Sequence, residues 1–316
     1  MRRCNTSSEK LHPKPDRPAI CPGYLVPCGT TGEGPTLTAA ERDRLIRVCV
    51  ERAAGCVPVI AGTGTNCTAT TIEATRAARS AGADAALIVT PYYNRPTQEG
   101  LYRHYAAVAS AVDLPIILYN VPTRTGVDLH VGTIEQLTAI PSIIGIKDAS
   151  GDPDRPQATA LAVGHRFLQF CGDDAGAVTF NLAGGRGCIS VVANVAPVLC
   201  RTLQHACRVK DWAEARSIQG RLDPLIAALA REPNPGPIKL ALSLLRPEFF
   251  AGASSASGGR RPGHGLGDRA CTEGPRSRHA AGRPESGLNR SPRPLPDQDE
   301  ASGSEACRSV PAVRIP

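Results

Sequence analysis

Between residues 24 and 191, short apolar runs alternate with longer stretches whose apolar positions recur at helical spacing. Seven runs are legible, at 24–28, 57–61, 86–90, 115–119, 143–147, 167–171 and 187–191. They recur about every 25–30 residues, the repeat of a strand-helix unit. Most are apolar throughout instead of alternating with polar residues, as expected of parallel strands covered on both faces.

The intervening stretches carry helix punctuation. Thr38 and Glu41 have the spacing of a capping box, Leu45, Val48, Cys49 and Arg52 fall on one predicted face, and Gly55 suits a C-terminal stop. A second helix is expected from about Thr71 to Ala81, stopping at Gly82. After the seventh run the pattern becomes purely helical, near 197–208, 211–230 and 236–246, with Pro233, Pro235 and Pro237 marking a break before the last.

This order predicts an α/β chain of the (β/α)8 TIM-barrel class with a C-terminal helical cap. Residues 1–22 offer no credible strand-helix unit, so the first unit of such a barrel is expected to be missing and the sheet to have a gap. A doubly wound sheet is the competing fold. It is disfavoured because no Gly-x-Gly-x-x-Gly turn follows the first run and because polar residues end nearly every run. The expected organisation is an atypical segment at 1–22, a barrel at 23–195, helices at 196–248 and a tail at 249–316.

Composition narrows the function. The net charge of +7 sits mostly at the ends: residues 25–250 carry 21 basic and 20 acidic groups, so no nucleic-acid module is expected. The tail from 251 has ten arginines and no aromatic residue, and is rich in Gly, Pro and Ser, a composition that predicts disorder. Both ends read as out-of-frame or misassigned sequence around a genuine core. No run approaches the roughly 18–20 apolar residues of a membrane span, and residues 1–18 lack an apolar leader, so the expected location is the cytoplasm. The twelve cysteines form no metal-spaced cluster; reduced structural thiols and no metal are expected.

The candidate chemistry lies where runs end. Lys147 closes Ile-Ile-Gly-Ile-Lys, and Tyr119 closes Pro-Ile-Ile-Leu-Tyr. An amine at the apolar end of a strand loses hydration, which favours its neutral, nucleophilic form, and a nearby phenol can relay the protons of Schiff-base formation. Either residue alone is more often a snorkelling charge or a packed ring. The hydroxyls in Gly29-Thr30-Thr31-Gly32-Glu33 and the fork of Arg124 suit carboxylates. Together they describe a site for an anionic keto acid, provided the barrel brings them together.

Four segments, Gly29-Thr30-Thr31-Gly32-Glu33, Thr90-Pro91-Tyr92-Tyr93-Asn94, Tyr119-Asn120-Val121-Pro122-Thr123-Arg124-Thr125-Gly126 and Gly145-Ile146-Lys147-Asp148, resemble in order and spacing the dihydrodipicolinate synthase family of pyruvate-dependent class I aldolases. The resemblance covers roughly residues 23–248. It implies a lyase of the diaminopimelate route to lysine, condensing pyruvate with L-aspartate 4-semialdehyde to 4-hydroxy-tetrahydrodipicolinate. No cofactor is implied beyond a covalent pyruvate Schiff base on Lys147. The resemblance makes Tyr119 the proton donor and acceptor, linked through Thr30 to Tyr93, which a neighbouring subunit contributes in a homotetramer. Thr31 and the backbone at Ile189 would hold pyruvate, and Arg124 the semialdehyde carboxylate. A related pyruvate-dependent aldolase, of the N-acetylneuraminate lyase or 2-keto-3-deoxy sugar acid aldolase type, or an inactive truncated remnant of the synthase, is the alternative. Tyr92 and Asn66 match the lysine effector pocket of inhibited members, whereas Ala39, Arg42 and Thr70 do not, so weak or absent inhibition by lysine is expected.

Overall fold

The computed structural model describes residues 23–246. The expectations for segment 1–22 and for the tail from 249 lie outside the described residues.

Five parallel strands pair in sequence order: β1 (Ile60–Gly62), β2 (Ala85–Val89), β3 (Ile116–Asn120), β4 (Ile143–Asp148) and β5 (Leu168–Cys171). The expected runs at 24–28 and 187–191 flank them, but each joins by a single bridge, Leu25 to Val59 and Cys171 to Cys188. Seven full strands are thus reduced to five with two bridged margins. The physical reason is one-sided pairing: a marginal segment has a ladder on one edge only, and regular strand geometry is weakly enforced there. The arrangement is α/β and of barrel type, with no strand between the two margins among the described residues.

A side chain spans that interval. The Tyr24 hydroxyl donates to the carbonyl of Cys188 at 2.7 Å, and the Tyr24 ring meets Phe170 edge-on at 5.5 Å. Burial pushes the Tyr24 phenol well above its ordinary pKa, so it remains a donor. The second margin is also held from within: the Asp174 carboxylate accepts from the backbone N–H of Val191 at 2.8 Å and Val192 at 3.1 Å.

The helices are α1 (Ala39–Ala53), α2 (Thr68–Ser80), α3 (Gln98–Ala111), the single turn α4 (Pro122–Thr125), α5 (Val131–Thr138), α6 (Arg155–Val163), α7 (Ala177–Leu182), α8 (Pro197–Arg208), α9 (Trp212–Leu229) and α10 (Gly236–Leu245). The capping box at Thr38 and Glu41 forms in full, and the chain leaves α1 through Ala54 and Gly55 at positive φ. The expected apolar face of α1 is corrected: Leu45 and Val48 are exposed, while Ile46 and Ala53 are the buried positions. Ile46 packs with Ala61 and Ala78, because α2 and β1 together offer the apolar surface, and that surface lies one residue around the helix from the predicted stripe. The helix expected at 71–81 starts earlier, at Thr68, because Thr71 is satisfied inside it by bonding back to the Cys67 carbonyl at 2.9 Å.

Alternate strand residues serve two cores. Ile88, Ile116, Leu118 and Ile146 pack outward on Leu101, Tyr105, Ile134 and Leu137 of the helices. Leu87, Ile117, Tyr119, Leu168 and Phe170 pack inward, with Ile189.

One buried group makes stability depend on pH. His104 in α3 is 5% exposed; its Nδ1 shares a 2.9 Å hydrogen bond with Thr68 Oγ1, and its buried Nε2 has no partner among the described residues. Burial pulls its pKa down from 6.5 to about 4. The unfolded chain therefore takes up a proton that the folded chain refuses. The contribution of the neutral ring is complete above about pH 6.5, falls as pH drops toward about 4, and amounts to about 3 kcal/mol at most. Urea unfolding of wild type and His104→Gln across that window is the check. The difference between the two in unfolding free energy should change with pH there, and a constant difference would refute the assignment.

Candidate active site

The site is built at the C-terminal ends of β3 and β4. Tyr119 and Lys147 are direct partners in the ladder, as are Asn120 and Asp148. What turns Lys147 inward is a register shift: Ile116 pairs with Ile143, yet the next residue, Ile117, pairs with Gly145. The extra residue, Ile144, is a bulge that reverses the facing of everything after it. Ile143 packs on the helix side and Ile144 on the interior side, so an unbroken ladder would leave Lys147 with Ile143 on the outside. Gly145 is required at this point because a Cβ there would lie 2.5 Å from the carbonyl oxygen of Leu168.

Lys147 is 8% exposed and its Nζ lies 4.3 Å from the centroid of the Tyr119 ring. None of the ion pairs among the described residues includes it. A buried amine without a carboxylate partner, beside a phenol, is the arrangement that amine nucleophilicity requires.

A cavity of about 860 Å³ opens over these residues and is lined by Thr30, Thr31, Tyr119, Arg124, Lys147 and Ile189 among others. Six of the seven residues singled out in the sequence therefore share one cavity. Tyr93 does not line it: it is 88% exposed, with φ of 70°, in the loop after β2. Ile189 is 7% exposed and its N–H already donates to the Cys171 carbonyl at 2.9 Å, which leaves its own carbonyl for a ligand. Arg124 in α4 is exposed at the mouth, one guanidinium nitrogen donating to the Asn234 carbonyl at 3.1 Å. No group of three or more His, Cys, Asp or Glu suited to a metal occurs among the described residues. The thiols near the cavity are not nucleophiles in waiting: burial raises Cys28 and Cys200 to about 11.

Comparison with known proteins decides the lineage. Residues 23–247 match the Dihydrodipicolinate synthetase family. The chain belongs to that family. A 4-hydroxy-tetrahydrodipicolinate synthase of Rhodospirillum centenum is 54% identical over 221 residues, covering 70% of this chain and 76% of the relative. One from Methylobacterium radiotolerans is 52% identical over 221 residues, with 70% and 74% covered. Among solved structures, the chloride-inhibited dihydrodipicolinate synthase of Acinetobacter baumannii complexed with pyruvate superposes with a TM-score of 0.69 at 47% identity, covering 71% of this chain and 77% of that one.

Several groups that the motif reading passed over support the shared strand ends of this dihydrodipicolinate synthetase family member. Asn120, fully buried, donates through Nδ2 to Asp128 at 2.7 Å and Asp148 at 3.1 Å, and accepts from the Leu129 N–H at 3.0 Å. Asp148, 4% exposed, also accepts from the N–H and hydroxyl of Ser150, and Arg155 pairs with Asp128 at 2.6 Å. A buried carboxylate is tolerable only with such partners, each contributing on the order of 1.5–3 kcal/mol. Asn120 and Asp148 each directly follow a residue singled out in the sequence, Tyr119 and Lys147, and that adjacency was the available signal.

Gly172 forms the other wall of the lysine slot. A Cβ there would meet the Cβ of Ala149 at 2.6 Å, the Asp148 carbonyl oxygen at 3.0 Å and Cε of Lys147 at 3.1 Å. Gly172→Ala should displace the amine and lower kcat/KM on the order of 10²-fold, with stability reduced by about 1–3 kcal/mol. Steady-state kinetics beside a thermal melt test this; a variant with wild-type turnover would show that the slot has slack.

Proposed function

We propose that this chain condenses pyruvate with L-aspartate 4-semialdehyde through a Schiff base on Lys147, giving 4-hydroxy-tetrahydrodipicolinate. The observation that carries the reading is the buried, unpaired amine of Lys147 beside the Tyr119 ring, inside a cavity that also holds Thr30, Thr31 and Arg124. Family membership supports the same chemistry.

The amine attacks the ketone carbon of pyruvate, and loss of water leaves an imine on Nζ. Thr31 donates its hydroxyl proton to the pyruvate carboxylate, and the free carbonyl of Ile189 accepts from the carbinolamine. Tyr119 gives and takes the protons, passing them toward Thr30. Loss of a methyl proton gives an enamine that attacks the aldehyde of the second substrate, whose carboxylate Arg124 grips. The amino group of that substrate then displaces Lys147, releasing the cyclised product and the free amine. No metal or organic cofactor is needed for these steps.

Tyr93 enters as the residue a second copy supplies. Its exposure and positive φ, in a loop pinned by the Arg95 Nε bond to the Gly126 carbonyl at 2.9 Å, fit a side chain held outward to complete a neighbour's relay. The working form in this reading is a homotetramer built as a dimer of dimers, in the cytoplasm. No described helix is long and apolar enough to cross a membrane.

Incubation with pyruvate and borohydride, followed by peptide mass spectrometry, tests the central step. A reduced pyruvate adduct on Lys147 is expected, and soluble protein without an adduct would overturn the reading. Arg124→Ala should raise the semialdehyde KM with a loss of about 1.5–3 kcal/mol in transition-state binding, while the pyruvate adduct still forms. Unchanged kcat and semialdehyde KM would remove Arg124 from its role.

A further inference from the structure

We infer that Asn234 is a positioning residue that makes Thr31 a hydrogen-bond donor to the carboxylate of pyruvate. The inference rests on the pyruvate reading above. Asn234 lies between α9 and α10, in the proline-marked break, 203 residues from Thr31 in the chain, yet its Nδ2 donates to Thr31 Oγ1 at 3.0 Å. It lines the same cavity as Lys147 and Tyr119.

A threonine hydroxyl has one proton and two lone pairs, whereas an ionised carboxylate only accepts. Left alone, the Thr31 hydroxyl can rotate to donate anywhere. With an amide N–H occupying one of its lone pairs, its proton is directed away from Asn234 and toward the cavity. The amide therefore sets the polarity of the hydroxyl as well as its place. Among the described residues, the buried Oδ1 of Asn234 has no hydrogen-bond partner.

The same residue touches the second substrate-binding group by a different route. Arg124 donates to the main-chain carbonyl of Asn234, a contact that side-chain replacement leaves in place. Five residues after Asn234, in α10, Lys239 pairs with the carboxylate of Glu33, which ends the Gly-Thr-Thr-Gly-Glu turn carrying Thr31. The C-terminal segment is thus clasped to that turn at Thr31 and Glu33 and to the Arg124 loop. The two routes through Asn234 predict a split: its side chain serves pyruvate, and its backbone serves the semialdehyde.

Asn234→Leu keeps the approximate shape and removes the donor without adding charge. The pyruvate KM should rise about tenfold, the loss of one hydrogen bond to a charged group, and adduct trapping at low pyruvate should slow in step. The semialdehyde KM should stay within about twofold. Asn234→Asp, which adds only acceptors, should weaken pyruvate further, because the Thr31 proton would turn to the new carboxylate. In a Thr31→Val background, Asn234→Leu should add nothing further. A wild-type pyruvate KM in Asn234→Leu, equal shifts in both KM values, or effects that simply add in the double variant would each overturn the inference; the last two would leave Asn234 a structural residue. Wild type is trapped alongside: absence of its Lys147 adduct would overturn the underlying pyruvate reading, whereas an adduct formed equally well by wild type and Asn234→Leu would overturn this inference alone.

Discussion

The bulge at Ile144 is the constraint on which the site depends. A strand exposes alternate residues to alternate faces, so the facing of Lys147 is decided by the parity of its pairing and not by its chemistry. One extra residue between Ile143 and Gly145 moves Lys147 from the helix-covered side to the interior, opposite Tyr119. There the amine is buried against an aromatic face and opens on the cavity, and none of the ion pairs among the described residues includes it. The two glycines around this point, Gly145 against Leu168 and Gly172 against Lys147, are where the backbone must come close enough to hold that geometry.

Beneath the lysine and tyrosine, polar groups set the strand ends with respect to one another. Asn120 and Asp148 pair in the ladder one step beyond Tyr119 and Lys147, and their side chains bond as well. Asp128 and Arg155 extend this network to the loop before α5 and to α6. A slip of β3 against β4 would therefore strand buried polar atoms, so the network resists the slip that would separate the phenol from the amine.

The sheet margins follow a different logic. Leu25 and Cys188 each hold one bridge, and the interval between them is crossed by the Tyr24 side chain and stiffened by Asp174. Side-chain bonds fix single points, whereas a strand would fix a whole ladder. The cavity extends along this margin, where Tyr24, Cys28 and Cys188 line it with Tyr119 and Lys147. Access and rigidity at the site are consequently tied to how these margins are held.

Much of this was legible in the chain. Apolar runs at a regular interval marked all the strand positions, Thr38 and Glu41 marked a helix start, and Lys147, Tyr119, Thr30, Thr31 and Arg124 stood out because polar residues ending apolar runs collect at one end of a parallel sheet. Those are local signals, set by the period of the backbone and by hydrogen-bonding capacity within a few residues. Tertiary structure decided the rest. The true buried face of α1, the parity reversal at Ile144, the isolation of Tyr93 from the cavity and the reach of Asn234 to Thr31 depend on which surface arrives opposite each residue. Sequence determined which groups could do chemistry here; only packing at long range decided which of them face one another, because facing depends on pairing register, and register is a property of two strands.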